Sequence, residues 1–261
     1  MKRATKIPMT YEEFEIYDVP FGWKDEYFNG FAFITPRPYG VMMKMKIEKR
    51  ELQKDIELLN LSEVSQRELS ELFFQSFVDS VEYLNFTKQA VRREAKKEIG
   101  KFFNGKRGIP QPDYCKIAAV NENKVGACLI SKYKYGFKNE ILFVHPEYQG
   151  KGIGSFLLSA VLNDLNKIRE KYLWSEHHIC NEKSSEWYRN FGFVEVTDIM
   201  TAKFRLNYYR QQVYRSEKLQ EVEKLKTLKP LLKKAKRKVD QMKKIEEKDR
   251  EAAWMLWRYD Y

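Results

Sequence analysis

The chain is poor in cysteine, poor in histidine and without a long apolar run, and each lack removes a class of protein. Its 261 residues hold three cysteines and three histidines. Cys115, Cys128 and Cys180 stand far apart with no C-x-x-C spacing, so they read as reduced thiols in a cytoplasmic protein. His177 and His178 are adjacent, and on a strand neighbours point to opposite faces, so they cannot grip one metal together. No metal site is expected. No apolar run approaches the ~18 residues that a membrane span needs. Met1-Lys2-Arg3 is followed by no apolar segment, so no signal peptide is expected.

What is present fits one sizeable globular domain with an appendage: 43% of residues are hydrophobic and 33% charged. The net charge is +11. Residues 211–261 hold 15 Lys and Arg against 9 Asp and Glu, a net of +6. The first 210 residues therefore carry +5, and the basic character belongs disproportionately to the tail.

The most informative stretch runs from Ile141 to Leu165. Ile141-Leu142-Phe143-Val144 is a short run of strand formers. Pro146 cannot donate to a ladder, so the strand should stop before it. Ile153, Phe156, Leu157, Ala160, Val161 and Leu165 recur at helical spacing. Between them lie Gln149, Gly150, Lys151, Gly152, Ile153, Gly154 and Ser155. Strand, glycine loop and helix together make a seat for phosphate, because the helix N-terminus offers unpaired N–H groups and the positive end of its dipole. The loop lacks G-x-x-x-x-G-K-[ST], so it is no nucleotide P-loop, and its G-x-G-x-G spacing departs from the dinucleotide fingerprint.

The loop resembles motif A of the GNAT superfamily of N-acetyltransferases, [RQ]-x-x-G-x-[GA], with Gln149, Gly152 and Gly154 in its three fixed places. Some thirty residues on, Asn181, Ser184, Tyr188, Gly192 and Phe193 fall in register with motif B of the same family. The resemblance covers about Tyr114 to Lys203. It implies an α/β (α+β) fold with a central mixed, mostly antiparallel sheet and helices on both faces, here with a C-terminal basic helical extension. Three segments follow: 1–40, an extension with a hairpin; 41–208, the acetyltransferase domain; and 209–261, a basic amphipathic helical tail.

Local signals place the elements. Asn29-Gly30 between Lys24–Phe28 and Phe31–Thr35 suits a two-residue type I′ hairpin, expected as an edge extension of the sheet, with a cover over the acceptor cleft as the alternative. Val41–Ile47 is expected as the first strand of the sheet. Ser65-Gln66-Arg67-Glu68 is a capping box opening a helix, and a second helix should run from near Thr87 to Phe103 with Val91, Ala95, Ile99 and Phe102 inward. Tyr114–Val120 and Val125–Ile130 should pair across a turn. Tyr172–Ile179 should lie parallel to the Ile141–Val144 strand, because a helix connects them. In the family these two strands splay apart and the pantetheine arm of acetyl-CoA fills the gap. Ser184–Asn190 reads as a short helix, and Phe193–Val196 and Ile199–Phe204 as the last strands. In the tail, Leu219, Val222, Leu225, Leu228, Leu232, Ala235, Val239, Met242 and Ile245 form an apolar stripe. Pro230 should begin a helix there that continues to about Trp257.

The resemblance implies an acetyltransferase that moves an acetyl group from acetyl-CoA, its cosubstrate, to a primary amine. Gln149 to Ser155 would hold the pyrophosphate through backbone N–H groups, with Lys151 adding charge. The backbone at Phe143 and Val144 would meet the pantetheine and the thioester carbonyl. Asn181 would hydrogen-bond the pantetheine arm; its plain alternative is a helix N-cap. Tyr188 would protonate the departing thiolate, and Glu140, with Glu176 as runner-up, would deprotonate the acceptor. Two other classes stay open: a CoA-binding domain without catalysis, and a nucleic-acid-associated protein using the basic tail. Mixed charge signs and few interleaved aromatics in the tail argue against nucleic acid. Its near-heptad stripe must pack helix on helix, on the catalytic domain or on a second copy, and suggests a homodimer formed partly through the C-terminal helices.

Overall fold

The computed structural model describes residues 5–52 and 56–248. In chain order the strands and helices are β1 (Thr5–Pro8), α1 (Tyr11–Glu15), β2 (Trp23–Phe28), β3 (Phe31–Pro36), β4 (Gly40–Lys46), β5 (Glu57–Leu59), α2 (Gln66–Phe77), α3 (Lys88–Phe103), β6 (Ile109–Pro110), β7 (Lys116–Val120), β8 (Asn123–Tyr133), β9 (Gly136–Val144), α4 (Ile153–Lys167), β10 (Tyr172–His178), α5 (Glu182–Phe191), β11 (Val194–Glu195), α6 (Ile199–Lys218) and α7 (Val222–Lys248). They form two compact units. One takes the described residues of 42–195, the other those of 1–41 and 196–261. No described helix is long and apolar enough to cross a membrane.

The 42–195 unit is built on one sheet in the order β11-β4-β10-β9-β8-β7-β5, with β6 against β8. β5/β7, β7/β8, β8/β9 and β4/β11 are antiparallel, and β9/β10 is parallel. Val41–Ile47 supplies the first strand of this sheet in chain order, as expected, and β4 sits inside it, between β11 and β10. Val41, Met42 and Met43 are all buried, as a strand covered on both faces requires. The segment after Asp198 is the helix α6, not a strand.

Helices cover both faces of this sheet. Residues opposite each other on antiparallel strands share a face, so Phe143 with Ala127 and Val144 with Gly126 mark its two sides. Phe73 of α2 stacks edge-on against Phe143 at 5.6 Å. Ile153 and Leu157 of α4 lie against Gly126, where a Cβ would come within 3.3 Å and 3.1 Å of them. The helix starts follow their caps. Ser65 and Glu68 form a reciprocal capping box, with Ser65 N–H donating to Glu68 Oε2 at 2.8 Å. Thr87 Oγ1 accepts from Ala90 N–H at 3.2 Å. On α3, Val91, Ala95, Ile99 and Phe102 are all fully buried, at the positions that helical spacing selects.

In the other unit, β2 and β3 pair through Phe28↔Phe31, and Asn29 and Gly30 both take positive φ, as a type I′ turn demands. This hairpin joins β1 in a separate three-stranded sheet, so it does not extend the larger one. α6 opens on Asp198, whose Oδ1 accepts from Thr201 N–H at 2.7 Å. α6 and α7 bury a shared core: Ile199, Ala202 and Leu206 against Ala235 and Val239, with Leu232 and Met242 packed beside them. The stripe that on sequence grounds asks for a second copy is thus largely covered within the chain. Pro230 does not begin a helix. It lies inside α7, and the break falls earlier, at Leu219–Glu221, where Gln220 takes φ 56. The expected continuation to Trp257 lies outside the described residues.

Candidate active site

The parallel pair at the centre of the sheet opens. β9 and β10 pair only at Phe137, Lys138 and Asn139 with Leu173, Trp174 and Ser175, although β9 continues to Val144 and β10 to His178. The cause lies on the other edge of β9. Leu129 pairs with Ile141 and Ile130 with Asn139, so Glu140 is an extra residue, a β-bulge. A bulge bends its strand and locally disrupts the ladder. From Glu140 onward β9 therefore departs from β10 and leaves a wedge between parallel strands.

The glycine loop closes the wide end of that wedge. Gln149 Nε2 donates to the Val144 carbonyl at 2.9 Å, tying the loop back to the last residue of β9. Gly150 and Gly152 take φ of 73° and 80°, a region L side chains rarely adopt. Gly152 is the N-cap of α4 and supplies no side-chain cap. The first intrahelical bond of α4 runs from Phe156 N–H to the Gly152 carbonyl, so Ile153, Gly154 and Ser155 bring N–H groups with no partner in the helix. Buried Ile153 anchors this end in the core. Gly154 lies beside Trp187: a Cβ there would meet the indole at 3.6 Å, in ordinary van der Waals contact. The Lys151 ammonium sits 5.0 Å from the Tyr148 ring centroid.

At the vertex of the wedge stands Tyr188. Its hydroxyl oxygen accepts from Ser175 Oγ at 2.8 Å and from Asn139 Nδ2 at 3.2 Å. Asn139 and Ser175 are the last residues paired between β9 and β10, so the phenol is held where the strands part. All three residues are buried. Burial pushes the Tyr188 hydroxyl well above its ordinary pKa, and the Ser175 hydrogen bond offsets this only in part. Tyr188 therefore keeps its proton through the neutral range. Asn181 caps α5, its Oδ1 accepting from Ser184 N–H at 3.0 Å, and its Nδ2 donates to Glu82 Oε1 at 2.8 Å.

Glu140 faces the other way. Strand alternation puts it on the side of Lys138, whose ammonium lies 3.5 Å from its carboxylate and 3.0 Å from that of Glu176. Arg107 approaches Glu140 at 3.9 Å and also pairs with Glu98 of α3. The Glu140 side chain is fully buried, that of Glu176 is 29% exposed. Burial raises the Glu140 pKa, and Lys138 and Arg107 pull against it without cancelling the effect. For Lys138 the balance is reversed: burial favours the neutral amine, but Glu176 and Glu140 outweigh it and keep the ammonium.

The structure thus brings Tyr188 to the vertex and the glycine loop to the open end, with Glu140 on the opposite face from Tyr188. Sequence reasoning did not find Asn139, Ser175, Lys138, Arg107, Glu82 or Trp187. Of these Lys138 carried a signal, a charged residue two positions from Glu140 on a strand due for burial.

Residues 111–195 match the family model of the acetyltransferase (GNAT) domain. No curated protein sequence matches the chain. Among solved structures, it is similar to a protein of Pyrococcus horikoshii OT3, at 23% identity over 55% of this chain and 92% of that one, with a TM-score of 0.45. It is also similar to the PaiA N-acetyltransferase from Thermoplasma acidophilum in complex with coenzyme A, at 19% identity over 52% and 89% of the two chains, TM-score 0.36. A third is Arabidopsis thaliana Naa50 with a bisubstrate analogue, at 24% identity over 56% and 86%, TM-score 0.38.

Proposed function

We propose that the chain transfers an acetyl group from acetyl-CoA to a primary amine, a reading supported by the match of residues 111–195 to the family model of the acetyltransferase (GNAT) domain. The observation that carries this reading is the wedge: a bulge at Glu140 parts β9 from β10, and a glycine loop on a helix N-terminus stands at its open end. The residues present fit the cosubstrate. A long, narrow arm needs unpaired strand edges, and a pyrophosphate needs converging N–H groups.

Acetyl-CoA supplies the acetyl group as a thioester, whose carbon–sulfur bond breaks as the new amide bond forms. The N–H groups of Gly150 to Ser155 hold the pyrophosphate, while the Gln149 N–H donates to the Pro146 carbonyl at 3.2 Å and fixes the start of the loop, and Lys151 adds a positive charge there. The backbone of Phe143 and Val144, on the wedge edge of β9, orients the thioester carbonyl. Asn181 has two N–H donors on its amide, of which Glu82 takes one, and it offers the other to the arm. Tyr188, neutral and oriented by Ser175 and Asn139, gives its proton to the departing thiolate. Glu140 takes the proton from the acceptor ammonium, since its raised pKa brings its basicity nearer to the working pH.

Thermal shift with CoA and a thiol-release assay across a panel of amines test the reading. A ligand that binds only the folded state at 100 times its Kd stabilises by about 2.7 kcal/mol. Gly152→Asp puts a negative charge where phosphate should sit and should abolish the CoA shift, whereas Gly152→Ala brings the backbone strain without the charge and should retain part of it. A full shift in Gly152→Asp would refute the loop assignment. A CoA shift in the wild type without thiol release for any amine would leave a CoA-binding domain that does not catalyse transfer.

A further inference from the structure

The α6–α7 hairpin concentrates the chain's charge. Residues 199–248 hold 16 Lys and Arg against 6 Asp and Glu, a net of +10 beside +11 for the whole chain. Within it the charges sort by position. The acids near the turn are matched: Lys224 pairs with Glu221, Lys226 with Glu223 and Lys229 with Glu217. Farther along α7 the match ends. Residues 233–244 hold seven Lys and Arg against Asp240 alone, and none of the seven has an ion-pair partner within 4 Å among the described residues. Lys233, Lys236, Arg237 and Lys244 are all exposed. At about 100° per residue they fall roughly 80–180° around the helix from Leu228, on a face turned away from the stripe that packs on α6.

The occupant of this face follows from what accompanies the charge. A helix that lies on a membrane inserts its apolar side into lipid. Here that side is covered by α6, and between Lys229 and Lys244 no large apolar side chain is exposed. Single-stranded nucleic acid is held by bases stacked on aromatic rings, and α7 has no Phe, Tyr or Trp. Of the four exposed cations three are lysines, which meet phosphate as point charges, and Arg237 alone carries the planar fork suited to bidentate contact with a base edge. What remains is a row of exposed cations over about 16 Å of helix, against a duplex that presents one negative charge per ~1.7 Å. We propose that the outer face of α7 docks on the phosphate backbone of a nucleic-acid duplex without sequence preference. The mixed signs that argue against such a partner in the sequence are separated in part by the fold: Glu217, Glu221 and Glu223 are paired near the turn, and Asp240 is the one acid among the seven cations of residues 233–244.

The test uses the full chain and fluorescence anisotropy with 20-base-pair DNA and RNA duplexes, each in two unrelated sequences. Four to six phosphate contacts predict a loss of affinity of about 10²–10³-fold between 50 and 200 mM salt, equal for the two sequences. Combining Lys233→Gln, Lys236→Gln, Arg237→Gln and Lys244→Gln should flatten the salt dependence by about 3–4 in log–log slope, with the melting temperature unchanged. Any one of four results would overturn the proposal: no duplex binding at 50 mM salt, undiminished binding by the fourfold variant, tighter binding to a single strand of the same length, or binding to phosphatidylserine vesicles without binding to duplex. A preference above tenfold between the two sequences would overturn the backbone-only reading.

Discussion

Replacing Tyr188 by Phe separates catalysis from packing, because the two consequences have different sizes. The change removes one oxygen that accepts two buried hydrogen bonds, from Ser175 Oγ at 2.8 Å and Asn139 Nδ2 at 3.2 Å. A buried donor left without an acceptor costs about 1–3 kcal/mol. Both donors have alternatives here: Ser175 Oγ lies 3.4 Å from the Asn139 carbonyl, and Asn139 Nδ2 lies 3.2 Å from Ser175 Oγ. The loss should therefore fall near the low end, about 1–2 kcal/mol in total. For a chain of this size that lowers the melting temperature by about 2–8 °C. A protein of ordinary stability, ~5–15 kcal/mol, stays more than about 99% folded after such a loss, so unfolding cannot account for a large drop in rate. If Tyr188 is the proton donor, kcat should fall about 10–10²-fold, at or below the low end for general acids because a thiolate leaves readily. In free energy that is about 1.4–2.7 kcal/mol of barrier. Single-turnover kinetics with acetyl-CoA and an accepted amine isolate the chemical step. In the wild type, burial holds the phenol pKa well above its ordinary value, so no alkaline loss of activity should arise from this group below about pH 10. A Tyr188→Phe protein that is a few degrees less stable but transfers acetyl at the wild-type rate would refute the proton-donor role.

Two further outcomes follow from particular side chains. Glu140 must be ionised to act as a base, and burial raises its pKa, so wild-type kcat should decline as pH falls through a value above 4.5, with the sign fixed by loss of the carboxylate. Glu140→Gln should remove that acidic limb and lower kcat by about 10²-fold or more, whereas an unchanged limb in Glu140→Gln that disappears in Glu176→Gln would move the base to Glu176. Pro230 stands inside α7, where it cannot donate to the Lys226 carbonyl. Pro230→Ala should stabilise α7 by about 1–3 kcal/mol and slow amide hydrogen exchange across Val222–Lys248 by roughly 5–150-fold. Equal or faster exchange would show that the ring is better accommodated than its missing N–H implies.

The site was legible where chemistry is local. The glycine loop, the α4 stripe and the cap of α5 are each written within a few consecutive residues, and the structure places them at 149–155, Ile153–Lys167 and Asn181. The caps at Ser65 and Thr87 were equally readable, since a capping side chain bonds three residues ahead. Legibility ends where the deciding information is distant or the window too short. Ile199–Phe204 reads as a strand because a six-residue window does not reveal its period. Extended to Ile199, Ala202, Leu206, Tyr209, Val213 and Ser216, the three- and four-residue steps of a helix are plain, and Asp198 stands ready as its cap. The place of β4 depends on Val194 and Glu195, which pair with Lys44 and Met43 some 150 residues away, and no local pattern encodes that. Pro230 was given more weight than it bears. Its side chain is exposed and the stripe continues past it on the opposite face, so burial of Leu228, Ala235 and Val239 sustains the helix through the lost bond.

The bulge at Glu140 ties the separate features of the site into one device. Along a regular strand, neighbouring residues alternate faces, so Asn139 and Glu140 must point to opposite sides of β9. Asn139 turns to Tyr188 and Ser175, while Glu140 turns to Lys138 and Arg107. Glu140 is also the extra residue of the bulge, which bends β9 away from β10 and opens the wedge between them. A neutral phenol thus stands at the vertex on one side, and a buried carboxyl of raised pKa on the other. Acyl transfer to an amine needs a proton delivered at sulfur and another removed at nitrogen, and two groups whose environments both favour the protonated form cannot serve as two acids and as two bases at once. In the proposed mechanism the division of labour follows from how strongly each is held: Tyr188 stays protonated far above neutral pH, whereas Lys138 and Arg107 pull Glu140 toward ionisation. Deleting the Lys138 charge should therefore push Glu140 toward the neutral acid and shift the acidic limb of kcat upward in pH, the direction that distinguishes a tuned base from a buried structural carboxyl.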